Sequence, residues 1–393
     1  MLRASVVRDV AEFSALQTEW FDLVSRSQKV TIFDTFEWSY NWWNFIGSKK
    51  PGSKLQIVLL RSEDNRLVGI FPLYVSNWRY TPLRTLSMLG TGMSDYHDVI
   101  CATGFEPLVC EACIDWLTSQ QSWAVCDLVQ LREGGTLRRY LESNRDRLTH
   151  LYGFELVQEE CPILDMSGIA ACEDRWQATL DSFGKKRRGS IRYYDRALER
   201  QFDVHCRLET KQPDINATMT TLFDLHRRRW NRRWLPGAFY SKSVQSFHRQ
   251  VAIDLADQGW LRLHALHLND RIKAVLYCFS MNGTTYYYQG GFDPELARFS
   301  LGTVIIGRAI RHAAREGVVQ FDFLRGNEAY KYRWASGTSC PNKRWIFAQK
   351  SFLLFSIAEV VVRFEQRAEL WLKDRMHHRK QSNTQRITKR EYS

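Results

Sequence analysis

Three stretches decide how this chain folds: Tyr286-Tyr-Tyr-Gln-Gly-Gly-Phe-Asp293, Arg298-Phe-Ser-Leu-Gly-Thr-Val-Ile-Ile-Gly307 and Val318-Val-Gln-Phe-Asp-Phe-Leu-Arg-Gly-Asn-Glu-Ala-Tyr-Lys-Tyr-Arg-Trp334. The first is an aromatic strand that runs into a polar loop, the second turns into an apolar helix near Ser300, and the third is a short apolar strand interrupted by Asp322. The first amides of a helix lack intrahelical partners and lie at the positive end of its dipole. Ser300, Gly302 and Thr303 are therefore placed to cradle a pyrophosphate, with Gly302 letting the backbone approach closely. An ordinary helix cap explains the same Ser-x-Gly pattern. Arg325 and Glu328 follow Asp322 at the strand's exit, where α/β sites gather; an Asp322–Arg325 ion pair is the structural alternative.

Outward from this stretch, one plan occurs twice. Strands over 260–268 and 272–281 flank Asn269-Asp270, and a third over 284–289 follows the turn Asn282-Gly283; earlier, strands over 55–61 and 67–75 are joined by Glu63-Asp64-Asn65. Helices precede each hairpin, over 11–25 and 38–46 in the first half and over 215–233 and 243–258 in the second. A helix and an apolar strand follow each: 107–119 with 124–131, and 301–316 with 318–324. This order predicts a mixed α/β fold, helices on a twisted sheet, in two similar halves. The boundary is set near Asp165, giving 1–164 and 165–350, with a third segment over 351–393.

In that last segment, residues 351–364 are apolar for only 14 residues, and 363–393 carries nine Lys or Arg against four Asp or Glu. The final stretch, HHRKQSNTQRITKREYS, is expected to be disordered. The helix before it either packs on the domain or attaches peripherally to an anionic membrane face.

The whole chain of 393 residues has 55 Lys plus Arg against 43 Asp plus Glu, a net charge of +12, with 44% apolar residues. That is globular composition, which excludes a disordered or fibrous chain. The start, Met1-Leu-Arg-Ala-Ser-Val-Val-Arg-Asp9, lacks the apolar run of a secretory leader, and charge interrupts every hydrophobic stretch before the about 18 residues of a membrane span. A cytoplasmic protein is the expectation. Nine scattered Cys, an odd number, read as reduced thiols, and no metal is expected.

The segment Asp322-Phe-Leu-Arg-Gly-Asn-Glu-Ala-Tyr-Lys-Tyr-Arg-Trp334 resembles the hallmark of the GNAT-type acyltransferases of the cellulose-biosynthesis CelD/BcsL kind, relatives of the FemAB peptidyltransferases. Phe33-Asp-Thr-Phe-Glu-Trp38, Gly69-Ile-Phe-Pro-Leu73, Ser94-Asp-Tyr-His-Asp98 and Leu225-His-Arg-Arg-Arg-Trp230 resemble other motifs of that family, and the similarity covers about residues 10–350. The resemblance implies two tandem GNAT-like domains sharing one site, and a thioester donor, acetyl-CoA or another acyl-CoA. Arg298-Phe-Ser-Leu-Gly-Thr303 matches the Arg/Gln-x-x-Gly-x-Gly/Ala loop of GNAT proteins only in part, which leaves the donor open.

Acyl transfer sets its own demands. At a pKa near 10.4 only about one lysine-like amine in 2,500 is neutral at pH 7, a cost of roughly 4.6 kcal/mol, so a base or water relay is needed. Asp322 and Glu328 lead as bases, with Asp95, Asp98 and His226 behind them. Backbone amides near Gln289, Gly290 and Gly291 would meet the thioester oxygen, and Tyr330 would serve the leaving thiolate. Arg298, Ser300, Gly302 and Thr303 would hold the donor; Asp95, Tyr96, Asp98, His226, Arg325 and Lys331 the acceptor. Each has a plain alternative: Asp95 and Asp98 as loop caps, His226 as a core-edge histidine, Lys331 lying along Trp334.

The function this implies is N-acylation of an amine, inferred from family habit to be an amino sugar in envelope or exopolysaccharide synthesis. A FemAB-like transferase using charged tRNA is the near rival, and a non-catalytic nucleic-acid-binding protein is the alternative of another class. The clusters Lys185-Lys-Arg-Arg188, with Arg192 and Arg196, and Arg227-Arg-Arg-Trp-Asn-Arg-Arg233 read first as solvated helix faces. They would equally suit the CoA 3′-phosphate, a lipid pyrophosphate or RNA.

Overall fold

The computed structural model describes residues 2–79, 81–120, 123–148, 151–231, 237–335, 338–349, 353–368 and 371. The first half runs β1 (Arg3–Val7), α1 (Val10–Ala15), α2 (Gln17–Ser25), α3 (Phe36–Phe45), β2 (Lys54–Arg61), β3 (Leu67–Asn77), β4 (Arg84–Met88), β5 (Ile100–Cys101), α4 (Glu106–Ser119), β6 (Val125–Leu131), α5 (Thr136–Ser143) and β7 (Leu151–Asp165). The second runs α6 (Arg175–Ser182), α7 (Lys185–Glu199), β8 (Val204–Glu209), α8 (Gln212–Asn231), α9 (Lys242–Asp257), β9 (Leu261–Leu268), β10 (Arg271–Met281), β11 (Thr284–Phe292), α10 (Leu301–Arg315), β12 (Gln320–Asp322), α11 (Ala329–Tyr332) and β13 (Thr338–Gln349). A last helix, α12, covers 353–368. Arg232, Arg233 and the tail from 372 onward, expected to be disordered, lie outside the described residues.

The mixed α/β architecture is as the sequence predicts, and the hairpin turns show why. Asn269 and Asp270 (φ 48° and 60°), like Asn282 and Gly283 (φ 50° and 73°), hold the two left-handed conformations that a two-residue turn between twisted strands requires. The single helix expected over 11–25 is two, because the Leu16 amide bonds back to Phe13 O at 3.1 Å and tightens the turn. Cys110 and Cys113, a C-x-x-C spacing, sit inside α4 with both thiols buried, and burial pushes both above the ordinary thiol range.

All thirteen strands form one sheet, ordered β1-β2-β3-β4-β6-β13-β7-β12-β11-β10-β9-β8, with β5 on β3. The halves exchange their last strands. The end of β13 lies between β6 and β7, with Phe347 opposite Cys126 on one side and Gly153 on the other. The end of β7 lies between β13 and β12, with Ile163 opposite Thr338 and Asp322. The main core also crosses the halves: fully buried Trp38 of α3 touches Phe247 of α9 and Phe279 of β10, at 5.2 and 5.9 Å between ring centroids. A second core packs α10 under the sheet, and a small third one seats Ala358 and Val362 of α12 on Trp78, Val125 and Ile346.

Candidate active site

The parallel ladder between β11 and β12 has only three rungs, Thr284–Gln320, Thr285–Phe321 and Tyr286–Asp322. Beyond them β11 stays paired to β10 as far as Phe292, while β12 ends, so the two strands part and leave the 287–292 edge open. Asp322 ends its own strand: Oδ1 accepts from the Leu324 amide at 2.7 Å, and Leu324 takes a φ of 55°. Opposite, Tyr288 is the extra residue of a β-bulge, since Tyr277 pairs with Gln289 and Cys278 with Tyr287.

The vertex of this opening is closed by Ser94-Asp-Tyr-His-Asp98, whose five residues are all buried. Ser94 Oγ accepts from Trp38 Nε1 (2.9 Å), Asp95 Oδ1 pairs with Arg325 Nε (2.5 Å), and Tyr96 OH donates to Asp322 Oδ2 (2.8 Å). The His97 ring nitrogens face the carbonyls of Val129 and Leu89. Asp98 caps α5, accepting from the amides of Val99, Thr136 and Leu137 at 2.8, 2.5 and 2.7 Å.

Asp95, Tyr96, Asp322 and Arg325 thus meet at one junction, but the ion pair is Arg325–Asp95, not Arg325–Asp322. A second arginine, Arg132, stands with its guanidinium carbon 5.8 Å from the Tyr96 ring centroid. Burial pushes Asp322 up to about 6, against its hydrogen bonds from Leu324 and Tyr96. Asp34, buried nearby and bonded to Thr31, is pushed up to about 7 for the same reason. With folded values above the unfolded one, their stabilising effect is complete below about pH 4 and is lost as pH rises through 6 to 7. Melting temperatures measured from pH 4.5 to 8 should therefore fall for the wild type, and fall less for Asp34→Asn; equal slopes would show that Asp34 does not titrate in this window.

Three sequence-named residues are otherwise engaged. Asp98 is a helix cap with no oxygen turned to an acceptor. His226 is buried against Phe239 (5.1 Å) and Trp230 (5.7 Å), and burial lowers it to about 4, which removes it as a base with a pKa near neutrality. Lys331 Nζ donates to the carbonyls of Leu324 (3.3 Å) and Arg325 (2.5 Å) and lies 3.3 Å from Glu328, so it fastens the loop after β12 instead of facing a phosphate.

The open edge gathers the others. Tyr330 and Tyr287 lie close enough to perturb each other's ionisation, and a Cβ on Gly290 would lie 2.7 Å from Tyr287 OH. Burial pushes Tyr287 up to about 12 and Tyr330 well above the ordinary phenol, with Arg229 opposing both shifts and Glu328 close enough to reinforce them. Gln289, Gly290 and Gly291 form the strand here, with Gly291 against Leu225 and the Leu222 carbonyl of α8. Glu328 is exposed at the rim, capping α11.

At the start of α10, Ser300 adopts φ 49°, its Oγ meets Thr303 Oγ1 at 2.9 Å, and the Thr303 amide turns back to Ser300 O at 2.7 Å. A Cβ on Gly302 would reach the Phe292 ring at 3.2 Å, and Arg229 lies 4.4 Å from the centroid of that ring. Arg298 lies over Phe299 at 4.8 Å. Two guanidinium groups near a helix start give this corner a positive character. Two cavities, about 440 Å³ between α3 and α9 and about 300 Å³ beside Trp78, are lined by none of these residues. Tyr287 was not singled out in the sequence, and Arg229 only as one of a basic cluster. Both were visible, one inside a basic run read as solvated and the other inside a tyrosine triplet read as strand.

Residues 185–332, which include β11, α10 and β12, match the family model of the acetyltransferase (GNAT) domain. Among solved structures the whole chain is similar in fold to FemX, with a TM-score of 0.59 and 10% identity over 88% of this chain and 96% of that one. It is also similar to L-PGS from Bacillus licheniformis, with a TM-score of 0.52 and 12% identity over 89% and 95%. A conserved protein of unknown function from Bacteroides thetaiotaomicron shares the fold at a TM-score of 0.54, with 11% identity over 89% and 100%. No curated protein matches the chain.

Proposed function

We propose that the protein is an N-acyltransferase that moves an acyl group, acetyl in the simplest case, from acyl-CoA to a primary amine, with an amino sugar of envelope or exopolysaccharide synthesis as acceptor. The observation that carries this reading is the parting of β11 from β12, with Tyr287 on the freed stretch of β11, Tyr330 close to it, and the α10 start following. Leu301 and Gly302 amides, Arg298 and Arg229 would bind the donor's phosphates, and strand amides near Gly290 would meet the carbonyl oxygen as it gains charge.

Glu328, solvent-reached and close to Tyr330, is the group placed to take the proton from the amine. Asp322, with both oxygens already accepting from Leu324 and Tyr96, holds the vertex. A phenol raised above pKa 10 does not fully protonate a thiolate whose thiol sits near 8.5; Tyr330 instead stabilises the departing sulfur by a hydrogen bond, and solvent completes the transfer.

The test is free-thiol release from acetyl-CoA and longer acyl-CoAs by the full chain over a panel of amino sugars and amines. Amine-dependent thiol release is expected. Gly302→Val, which drives two methyls toward the Phe292 ring and the donor groove, should raise KM for acyl-CoA roughly tenfold with smaller change in kcat. The fold shared with FemX and L-PGS supports a second reading, aminoacyl transfer from charged tRNA, in which Arg227–Arg229 contact RNA. Silence with every acyl-CoA, together with transfer from aminoacyl-tRNA that weakens steeply between about 50 and 200 mM salt, would establish that reading instead.

A further inference from the structure

Helix α12 has two apolar faces. One, with Ala358 and Val362 fully buried, seats it on the sheet. The other faces solvent: Leu353, Ile357, Val360 and Phe364 are 71%, 45%, 68% and 70% exposed. At 100° per residue these four fall in a sector about 60° wide, and Trp371, just beyond the described helix, is 54% exposed. Tyr152 and Val157 of β7 add exposed apolar surface beside it, Tyr152 touching Phe355 and the Val157 carbonyl accepting from Gln366. Seven of the thirteen large apolar side chains exposed among the described residues therefore stand on or next to this one helix, which makes a patch and not a scatter.

Charge says what covers it. On α12 itself Arg363, paired with Glu359 at 2.8 Å, and Arg367 are balanced by Glu359 and Glu365, and the excess positive charge follows the helix: residues 372–393 carry seven Lys or Arg against two Asp or Glu. No helix among the described residues is long and apolar enough to cross a membrane. A solvent-facing apolar stripe about 17 Å long, followed by a strongly basic segment, has the chemistry of an interfacial helix that lies in the plane of a bilayer with anionic headgroups.

We propose that the outer face of α12 docks the protein on an anionic lipid surface, the apolar stripe entering the headgroup layer and the following basic residues pairing with phosphates. This does not rest on the acyltransferase reading. The test is co-sedimentation of the full chain with vesicles of pure phosphatidylcholine and of phosphatidylcholine with phosphatidylglycerol at about 7:3. Binding to the mixed vesicles only is expected. V360E/F364E, at positions whose side chains already face water, should keep the wild-type circular dichroism and lower that binding roughly tenfold. R379E/K380E should lower it severalfold and make the remainder insensitive to salt.

No binding to mixed vesicles overturns the proposal, as does binding that V360E/F364E leaves untouched, which would be charge attraction without the helix. A concentration-dependent dimer in light scattering that V360E/F364E abolishes, with no vesicle binding, would overturn it in favour of a second copy of the chain as the occupant.

Discussion

Replacing Asp98 with Ala should lower the unfolding free energy by roughly 3–6 kcal/mol, out of the about 5–15 kcal/mol that holds a folded domain. The carboxylate accepts three backbone amides, those of Val99, Thr136 and Leu137, in a buried setting, and removing it strands all three away from water. No neighbour can take its place, because Gly135 packs so tightly there that a Cβ would stand 2.8 Å from Asp98 Oδ2. Asp98→Asn should fall between, since an amide keeps one acceptor oxygen but turns a donor toward another donor. Chemical denaturation measures both. A loss under about 1 kcal/mol accompanied by abolished turnover would reverse the assignment and return Asp98 to the acceptor site.

The second large effect concerns rate. Tyr330→Phe should reduce kcat about a hundredfold if its hydroxyl stabilises the leaving sulfur, within the usual range for a lost hydrogen-bond donor to a developing charge. The cost in stability should stay near about 1 kcal/mol, because only the hydroxyl is removed and the ring remains. Tyr287→Phe supplies the contrast: the Tyr330 hydroxyl survives and only a neighbouring phenol is removed, so the fall should be smaller. Both rates are read from single-turnover thiol release. A wild-type kcat in Tyr330→Phe would mean that the sulfur is served from elsewhere.

The sequence carried the elements whose local chemistry is complete within a few residues. The hairpins around Asn269-Asp270 and Asn282-Gly283 were legible because left-handed turn residues announce themselves, and α9 and α10 because their apolar positions recur with helical spacing. β7 and β13 were not, because their stability comes from each other. Cys161-Pro-Ile-Leu-Asp165 reads as a crossing between halves, and residues 338–349 are assigned no element, until each is laid beside the other with Cys340 opposite Cys161.

The same distinction holds at the site. The motif Ser94–Asp98 was visible and so were Asp322 and Arg325, but which carboxylate meets which cation depends on a fold in which residues more than two hundred positions apart touch. Asp95 takes Arg325, and Asp322 takes the Tyr96 hydroxyl. The placement of Arg229 over Phe292 likewise has no signature in a run of three arginines.

The exchange of final strands bears on how the molecule is made. While the chain leaves the ribosome, the slot between β6 and β7 stays vacant until residue 349 has emerged, more than 180 residues after β7 itself. The nascent N-terminal portion must wait with unsatisfied main-chain edges, a state prone to sticking to its neighbours and slow to resolve because the missing partner is so distant in sequence. Cutting the gene at the apparent midpoint would separate each portion from the strand that completes it, so neither product should be soluble alone, whereas synthesising both together should restore the whole.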